Sequence, residues 1–245
     1  MSPFSTGAHS LRVPSPHAAR RGLFLSFEGG DGAGKSTQMA LLREHLVKER
    51  SVSEDLVLTT REPGGTPMGA QLRELVLHGD HMSPRTEALL YTADRAHHID
   101  TVVRPHLERG GLVLADRYVD SSVAYQGAGR ELEPEQVAAL NLWATGGIMP
   151  HRTILLDLAP EALEERRPAE SLDRLERAGR DFHRAVRKEF LGLAAAEPER
   201  FVVIDASQPR ESIHAQIVDA LSEELSAFDP TFEQTVAARP PSEER

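Results

Sequence analysis

The ten residues EGGDGAGKST, Glu28 to Thr37, constrain this chain more than any other stretch. Gly29, Gly34, Lys35 and Ser36 fit G-x-x-x-x-G-K-[ST], a loop whose backbone N–H groups cradle phosphates. Such a loop needs a strand before it and a helix after it, because the helix N-terminus supplies the unpaired N–H groups and the positive dipole end that hold an anion. The flanks comply. GLFLSFEG (22–29) reads as a short apolar strand, and Ser36 to Arg50 reads as a helix with Met39, Leu42 and Leu46 on one face. The residues expected to bind the nucleotide are Gly29, Gly30, Asp31, Gly32, Ala33, Gly34, Lys35, Ser36 and Thr37. Lys35 would reach the β/γ-phosphates, and the Ser36 hydroxyl would bind Mg²⁺. One member of the loop is out of place. Asp31 puts a carboxylate into a ring that attracts anions, so it either opposes the phosphates or faces away towards something else.

Four further apolar runs read as strands: DLVLTT (55–60), GLVLAD (111–116), TILLDL (153–158) and FVVIDA (201–206). Helical patterns separate them. One is capped by Thr66 and runs to Leu77, after the turn REPGGTP. A second runs from Pro84 towards Glu108, kinked or broken near Pro105, and a third covers 134–144 and stops at Gly146-Gly147. Trp143 sits in that third helix and is expected in the core or at a dimer interface. Alternating strands and helices imply an α/β fold with a parallel sheet covered on both faces. Ligands in such sheets bind beyond the carboxyl ends of the strands. Polar residues begin there at Glu28, Thr60 and Asp116, and Asp116 is a candidate for the metal shell.

Arginines recur where the strands open: Arg61, Arg73, Arg95, Arg117, Arg166, Arg167 and Arg174. Phosphoryl transfer depends on positioning and on neutralising charge, which suits such a set. No obvious general base accompanies them. A hydroxyl acceptor benefits from a base, whereas a phosphate monoester, with a second pKa of about 6, is already largely dianionic. The pattern therefore leans towards a nucleoside monophosphate as acceptor. His97 and His98 are adjacent, do not share a helical face, and carry no metal reading.

The bulk numbers exclude other classes. The 245 residues suit one α/β domain with tails, and a net charge of −10 argues against nucleic acid as a partner. Cysteine is absent, which fits a reducing compartment, and no apolar run approaches membrane-spanning length. The first 21 residues, rich in Ser, Pro, His and Arg without an acid, and the stretch 227–245 read as disordered tails around a domain at 22–226.

The segments FEGGDGAGKSTQ, TREPGGTP, LLYTADRAHH, DRYVDSSVAYQG, LDRLE and FHRAVRKEF occur in this order, and together the chain resembles the bacterial thymidylate kinases from about Leu23 to about Leu221. The resemblance implies transfer of the γ-phosphoryl of ATP to dTMP, giving dTDP, with Mg²⁺. It implies a three-layer phosphate-loop NTPase kinase fold with a five-stranded parallel sheet, a short helical lid at about 164–177, a homodimer and a cytoplasmic enzyme. Tyr91 takes the position of the aromatic that stacks on thymine, more often Phe, and Arg95 that of the arginine bonding a base carbonyl. Their i, i+4 spacing lets both reach one base. Arg117 matches the arginine on the acceptor phosphate, and Arg73 another that approaches it. Asp116 lies at the junction of metal and phosphate. Tyr125 matches the aromatic near the sugar C2′, Ser122 a small polar position near the base, and Gln126 stands beside it. Glu62 and Pro63 shape the pocket turn. Asp31 would then point out of the cradle to the acceptor side, where it accepts a hydrogen bond from the sugar 3′-hydroxyl or helps hold the acceptor. The loop has no arginine of its own, so a lid arginine is implied, Arg167 first and Arg174 behind it, although Pro168, Ala169 and Glu170 depart from the family's usual basic run. Lys35, Arg117, Asp31 and these two arginines form the expected catalytic set. Two other readings stay open: a different small-molecule kinase on the same fold, acting on another nucleotide or, with Glu28 or Asp116 as base, on a nucleoside, and a regulator that binds ATP without turning it over.

Overall fold

The computed structural model describes residues 22–127, 132–166, 175 and 178–228. Five strands, β1 (Leu23–Glu28), β2 (Val57–Arg61), β3 (Leu112–Asp116), β4 (Arg152–Asp157) and β5 (Phe201–Asp205), form one sheet in the order β2-β3-β1-β4-β5, with every pairing parallel. From β1 the chain runs to the edge strand β2, places β3 between the two, and then crosses to β4 and β5 on the other side of β1. The direction of winding reverses at β1, and a crevice opens there beyond the carboxyl ends. The register makes those ends level: Phe27 and Arg61 both pair with Asp116.

Alternation along β1 feeds both layers. Leu23, Leu25 and Phe27 pack with Met39, Leu42 and Leu46 of α1 (Lys35–Lys48) and with Ile213 and Ile217 of α9 (Arg210–Ala220). Phe24 points the other way, to Ile99, Val103, Val113 and Tyr118. Helices α2 (Pro67–His78), α3 (Pro84–His98), α4 (Arg104–Glu108), α5 (Val119–Ser122) and α6 (Pro134–Thr145) follow in chain order. Helix α7 (Pro160–Arg166) and α8 (Arg180–Ala196) lie between β4 and β5, and α10 (Ser222–Ala227) ends the described part.

The capping signals are used as expected. The Thr66 hydroxyl accepts from Gly69 N–H at 2.8 Å with Pro67 in the first turn, Ser83 does the same for Thr86, and Gly146 closes α6 at φ 61°. The break expected near Pro105 takes a specific form. Proline has no N–H for the carbonyl four residues back, and the chain answers with a π-helical turn at Ile99–Val103 between α3 and α4. Of the two places expected for Trp143, the structure rules out the core: its side chain stands outward from α6, 78% exposed. The expected tails fall outside the described residues, except that α10 carries Ala227 and Phe228 follows it. So do Arg167 and Arg174 of the expected lid.

Candidate active site

The glycine loop carries positive φ at Gly29 (127°), Gly32 (92°) and Gly34 (101°), a conformation that side chains with a Cβ rarely adopt. At Gly29 there is a second reason, since a Cβ would lie 2.5 Å from the carbonyl oxygen of Leu156. Lys35 curls back over the loop, and its ammonium donates to Gly29 O at 3.1 Å and Gly30 O at 3.2 Å. Burial lowers its pKa, and the neighbouring Arg117 lowers it further. Bound phosphate would reverse both effects. Ser36 and Thr37 open α1 towards solvent. The Ser36 hydroxyl lies 3.4 Å from Asp116 Oδ2.

Asp31 stands at the edge of the cradle, between Lys35 and Arg117. Its Oδ1 accepts from Arg117 Nη2 at 2.7 Å and lies 3.7 Å from Lys35 Nζ. Arg117 also donates to Ser121 Oγ at 3.0 Å and to the Tyr125 hydroxyl at 3.2 Å, with its guanidinium 4.9 Å over the Tyr125 ring. The Arg117 backbone sits at φ 70°, which costs a non-glycine residue about 1–2 kcal/mol. No sequence signal announced that strain. Burial pushes the Tyr125 phenol up to about 12, so it remains a neutral hydroxyl.

Asp31, Arg117 and Tyr125 line one cavity together with Glu62, Pro63, Arg73, Tyr91, Arg95, Ser122 and Gln126. Every residue expected on the acceptor side therefore meets in one place. Leu77, Ser121 and Leu175 complete the lining, and sequence reasoning had not selected them. Arg73 donates to the Pro63 carbonyl at 3.0 Å, and the Gln126 amide donates to Glu87 at 3.0 Å.

Arg95 is held on all sides. It donates to Glu62 Oε2 at 2.6 Å, Ser122 Oγ at 2.9 Å, the Tyr118 carbonyl at 2.9 Å and the side-chain carbonyl of Asn141. Four of its five N–H groups are thus committed, leaving one on Nη2. Glu62 also bonds His98 Nδ1 at 2.8 Å, and His98 Nε2 lies 2.7 Å from Thr60 Oγ1. His98 is thus a buried structural residue. Asn141 is the signal that sequence reading passed over: one amide in the apolar face of AALNLWA, fully buried.

The other expected residues lie elsewhere. Ser36 and Asp116 border a wider cleft of about 550 Å³ that Arg43 and Arg61 also line. Arg61 therefore does not join the Asp31 cavity. Arg166 donates to the Ala206 carbonyl at 3.1 Å. Glu28, buried behind the loop, accepts from Tyr118 N–H at 2.8 Å and Ser121 Oγ at 2.6 Å. Burial, and then the Asp120 carboxylate, raise its pKa to about 7.

Among the described residues no group of three or more His, Asp or Glu is placed to hold a metal, and no helix is long and apolar enough to cross a membrane. The thymidylate kinase family model matches residues 27–217. A thymidylate kinase of Clavibacter sepedonicus is 58% identical over 199 residues, covering 80% of this chain and 92% of the relative. One from Bifidobacterium longum (strain DJO10A) is 51% identical over 207 residues, covering 82% and 98%. The crystal structure of a thymidylate kinase from Ehrlichia chaffeensis is similar with a TM-score of 0.67 and 28% identity, over 82% of this chain and 98% of that one.

Proposed function

This chain belongs to the thymidylate kinase family and transfers the γ-phosphoryl group of ATP to dTMP, and we propose that the cavity bounded by Asp31, Arg117 and Tyr125 holds the acceptor. The observation that carries this reading is the direction of Asp31. Its carboxylate bonds Arg117 at 2.7 Å and lines the cavity, standing farther from the cradle lysine Lys35, at 3.7 Å.

In this reading Gly29 to Thr37 hold the donor phosphates, and Lys35 leaves its two loop carbonyls to meet them. Arg117 and Arg73 clamp the dTMP phosphate, Tyr91 stacks on thymine, and the remaining N–H of Arg95 meets a base carbonyl. Ser122 and Gln126 stand at the base edge, and Asp31 accepts from the sugar 3′-hydroxyl. The acceptor oxygen is already anionic, so the reaction needs alignment and charge neutralisation and no proton abstraction. The nucleoside kinase alternative is disfavoured by placement: neither Glu28, which accepts from Tyr118 and Ser121, nor Asp116, which borders the wider cleft, lines the acceptor cavity. Arg167, with Arg174 behind it, supplies the lid charge over the transferred group, in a domain at 22–226 with its lid at about 164–177.

Mg²⁺ fits the Ser36–Asp116 junction. The Asp116 Oδ1 atom is buried without a hydrogen-bond partner, and a hydroxyl and a carboxylate suit a hard cation that keeps much of its water. When bound, the ion would neutralise donor phosphate charge. A homodimer is proposed through the outward faces of α2, α3 and α6, where Leu75, Leu89, Leu142 and Trp143 are exposed on helices that pack side by side. The enzyme is proposed to be cytoplasmic, which the absence of cysteine supports.

The test is Tyr125→Ala. If Tyr125 lies against the sugar C2′, the variant turns over the ribose counterpart of dTMP at least about tenfold better relative to dTMP than the native enzyme does. An unchanged ratio removes Tyr125 from the sugar.

A further inference from the structure

The strained backbone at Arg117 needs something to hold it, and the buried carboxylate of Glu28 lies directly behind it. Arg117 N–H donates to the Phe27 carbonyl at 3.0 Å, and its φ is 70°. The next N–H, that of Tyr118, donates to Glu28 Oε1 at 2.8 Å. One turn on, the Ser121 hydroxyl donates to Glu28 Oε2 at 2.6 Å and accepts from Arg117 Nη1 at 3.0 Å. One carboxylate thus grips the chain at two points just after the left-handed residue, at Tyr118 N–H and at Ser121. Through Ser121 it also fixes the guanidinium of that residue.

We infer that Glu28 is a positioning residue that holds Arg117 in the conformation aiming its guanidinium into the acceptor cavity. The inference rests on the proposed role of Arg117 at the dTMP phosphate. Glu28 does not line the cavity, so it acts through Arg117 and not on substrate. Without the carboxylate, Tyr118 N–H would be a buried donor with no acceptor, and the turn would relax out of the left-handed region. Glutamine keeps the function: its carbonyl accepts from Tyr118 N–H, and its amide donates to Ser121 Oγ, which has two lone pairs.

The experiment measures kcat/KM for dTMP and KM for ATP in Glu28→Ala, Glu28→Gln, Arg117→Ala and the Glu28→Ala/Arg117→Ala double variant, with thermal melts to confirm folding. Glu28→Ala is expected to lower kcat/KM for dTMP about tenfold or more while KM for ATP stays within about twofold. Glu28→Gln should recover all but about threefold of the loss, and Glu28→Ala should cost nothing further once Arg117 is alanine. Equal losses for both nucleotides, failure of the glutamine rescue, or additive losses in the double variant overturn the proposal. Unchanged dTMP kinetics in Arg117→Ala instead overturn the reading of Arg117 on which it stands. If Glu28→Ala does not fold, Ser121→Ala, at a position that also lines the cavity, removes the link to Arg117 while Tyr118 N–H keeps its bond to Glu28, and it should cost nothing further once Arg117 is alanine. It should give a smaller loss confined to dTMP, and unchanged dTMP kinetics in that variant overturn the proposal.

Discussion

Replacing Asp31 by alanine separates the two sides of the glycine loop. The lost contact is the 2.7 Å bond from Arg117 Nη2. A hydrogen bond between charged groups contributes about 1.5–3 kcal/mol when buried. Arg117 is 15% exposed but Asp31 is 39% exposed, so solvent screens the pair and about 1–2 kcal/mol is the better figure. That corresponds to a loss of roughly 5- to 30-fold in kcat/KM for dTMP. The sign on the donor side is opposite. Asp31 Oδ1 lies 3.7 Å from Lys35 Nζ, and removing its charge leaves a more positive cradle for the phosphates. KM for ATP should therefore stay the same or fall. Steady-state kinetics with each nucleotide varied in turn read both effects, and Asp31→Asn, which keeps an acceptor, should lose less. If KM for ATP rises as much as dTMP turnover falls, Asp31 belongs to the phosphate cradle and the argument is wrong.

Other perturbations test the supports of the cavity. Glu62→Ala leaves the Arg95 cation buried against neutral acceptors only, since the side chains of the pair are 1% and 2% exposed. Breaking such a pair costs about 3–5 kcal/mol, so calorimetry should show a fall of roughly 6–20 °C in Tm; a change under about 3 °C would show that the pair is not buried as described. Burial, and then the Glu62 carboxylate, raise Asp94 from 3.8 to about 6. A raised folded-state value gives stability that is full below about pH 4 and lost as pH rises through about 6, on the order of 3 kcal/mol. Denaturation of Asp94→Asn should therefore gain on the native protein between pH 4 and pH 7, and a gap that does not change with pH contradicts the assignment. Arg167→Ala should lower kcat about a hundredfold or more with little change in KM for dTMP, and an unchanged kcat removes that residue from the reaction.

The sheet was legible because its signals are local. Each strand is a short apolar run, α2 and α3 carry side-chain caps and α6 a glycine stop, and the phosphate loop binds β1 to α1 in one stretch of sequence. Strand order is not local. It became visible only in the pairing of Leu23 with Leu112 and of Leu25 with Arg152. The residues that line the Asp31 cavity were legible for a different reason, since the resemblance supplied positions that hydrophobic periodicity could not. What stayed hidden were partnerships between residues far apart in the chain: Arg95 with Asn141, and Glu28 with Ser121. A polar residue in an apolar run signals a buried bond but does not say to what. Trp143 stayed between core and dimer interface for the same reason, because an apolar helix face reads alike whether it meets the core or a second surface.

The most direct test of the account is ADP release by the native enzyme with Mg²⁺ and ATP, comparing dTMP, its ribose counterpart and thymidine as acceptors. A cavity that clamps a dianionic phosphate and crowds C2′ predicts rapid turnover of dTMP, little of the ribose nucleotide and none of thymidine. Comparable turnover of thymidine would mean that a base operates where none has been assigned. Comparable turnover of the ribose nucleotide would mean that Tyr125 does not face the sugar.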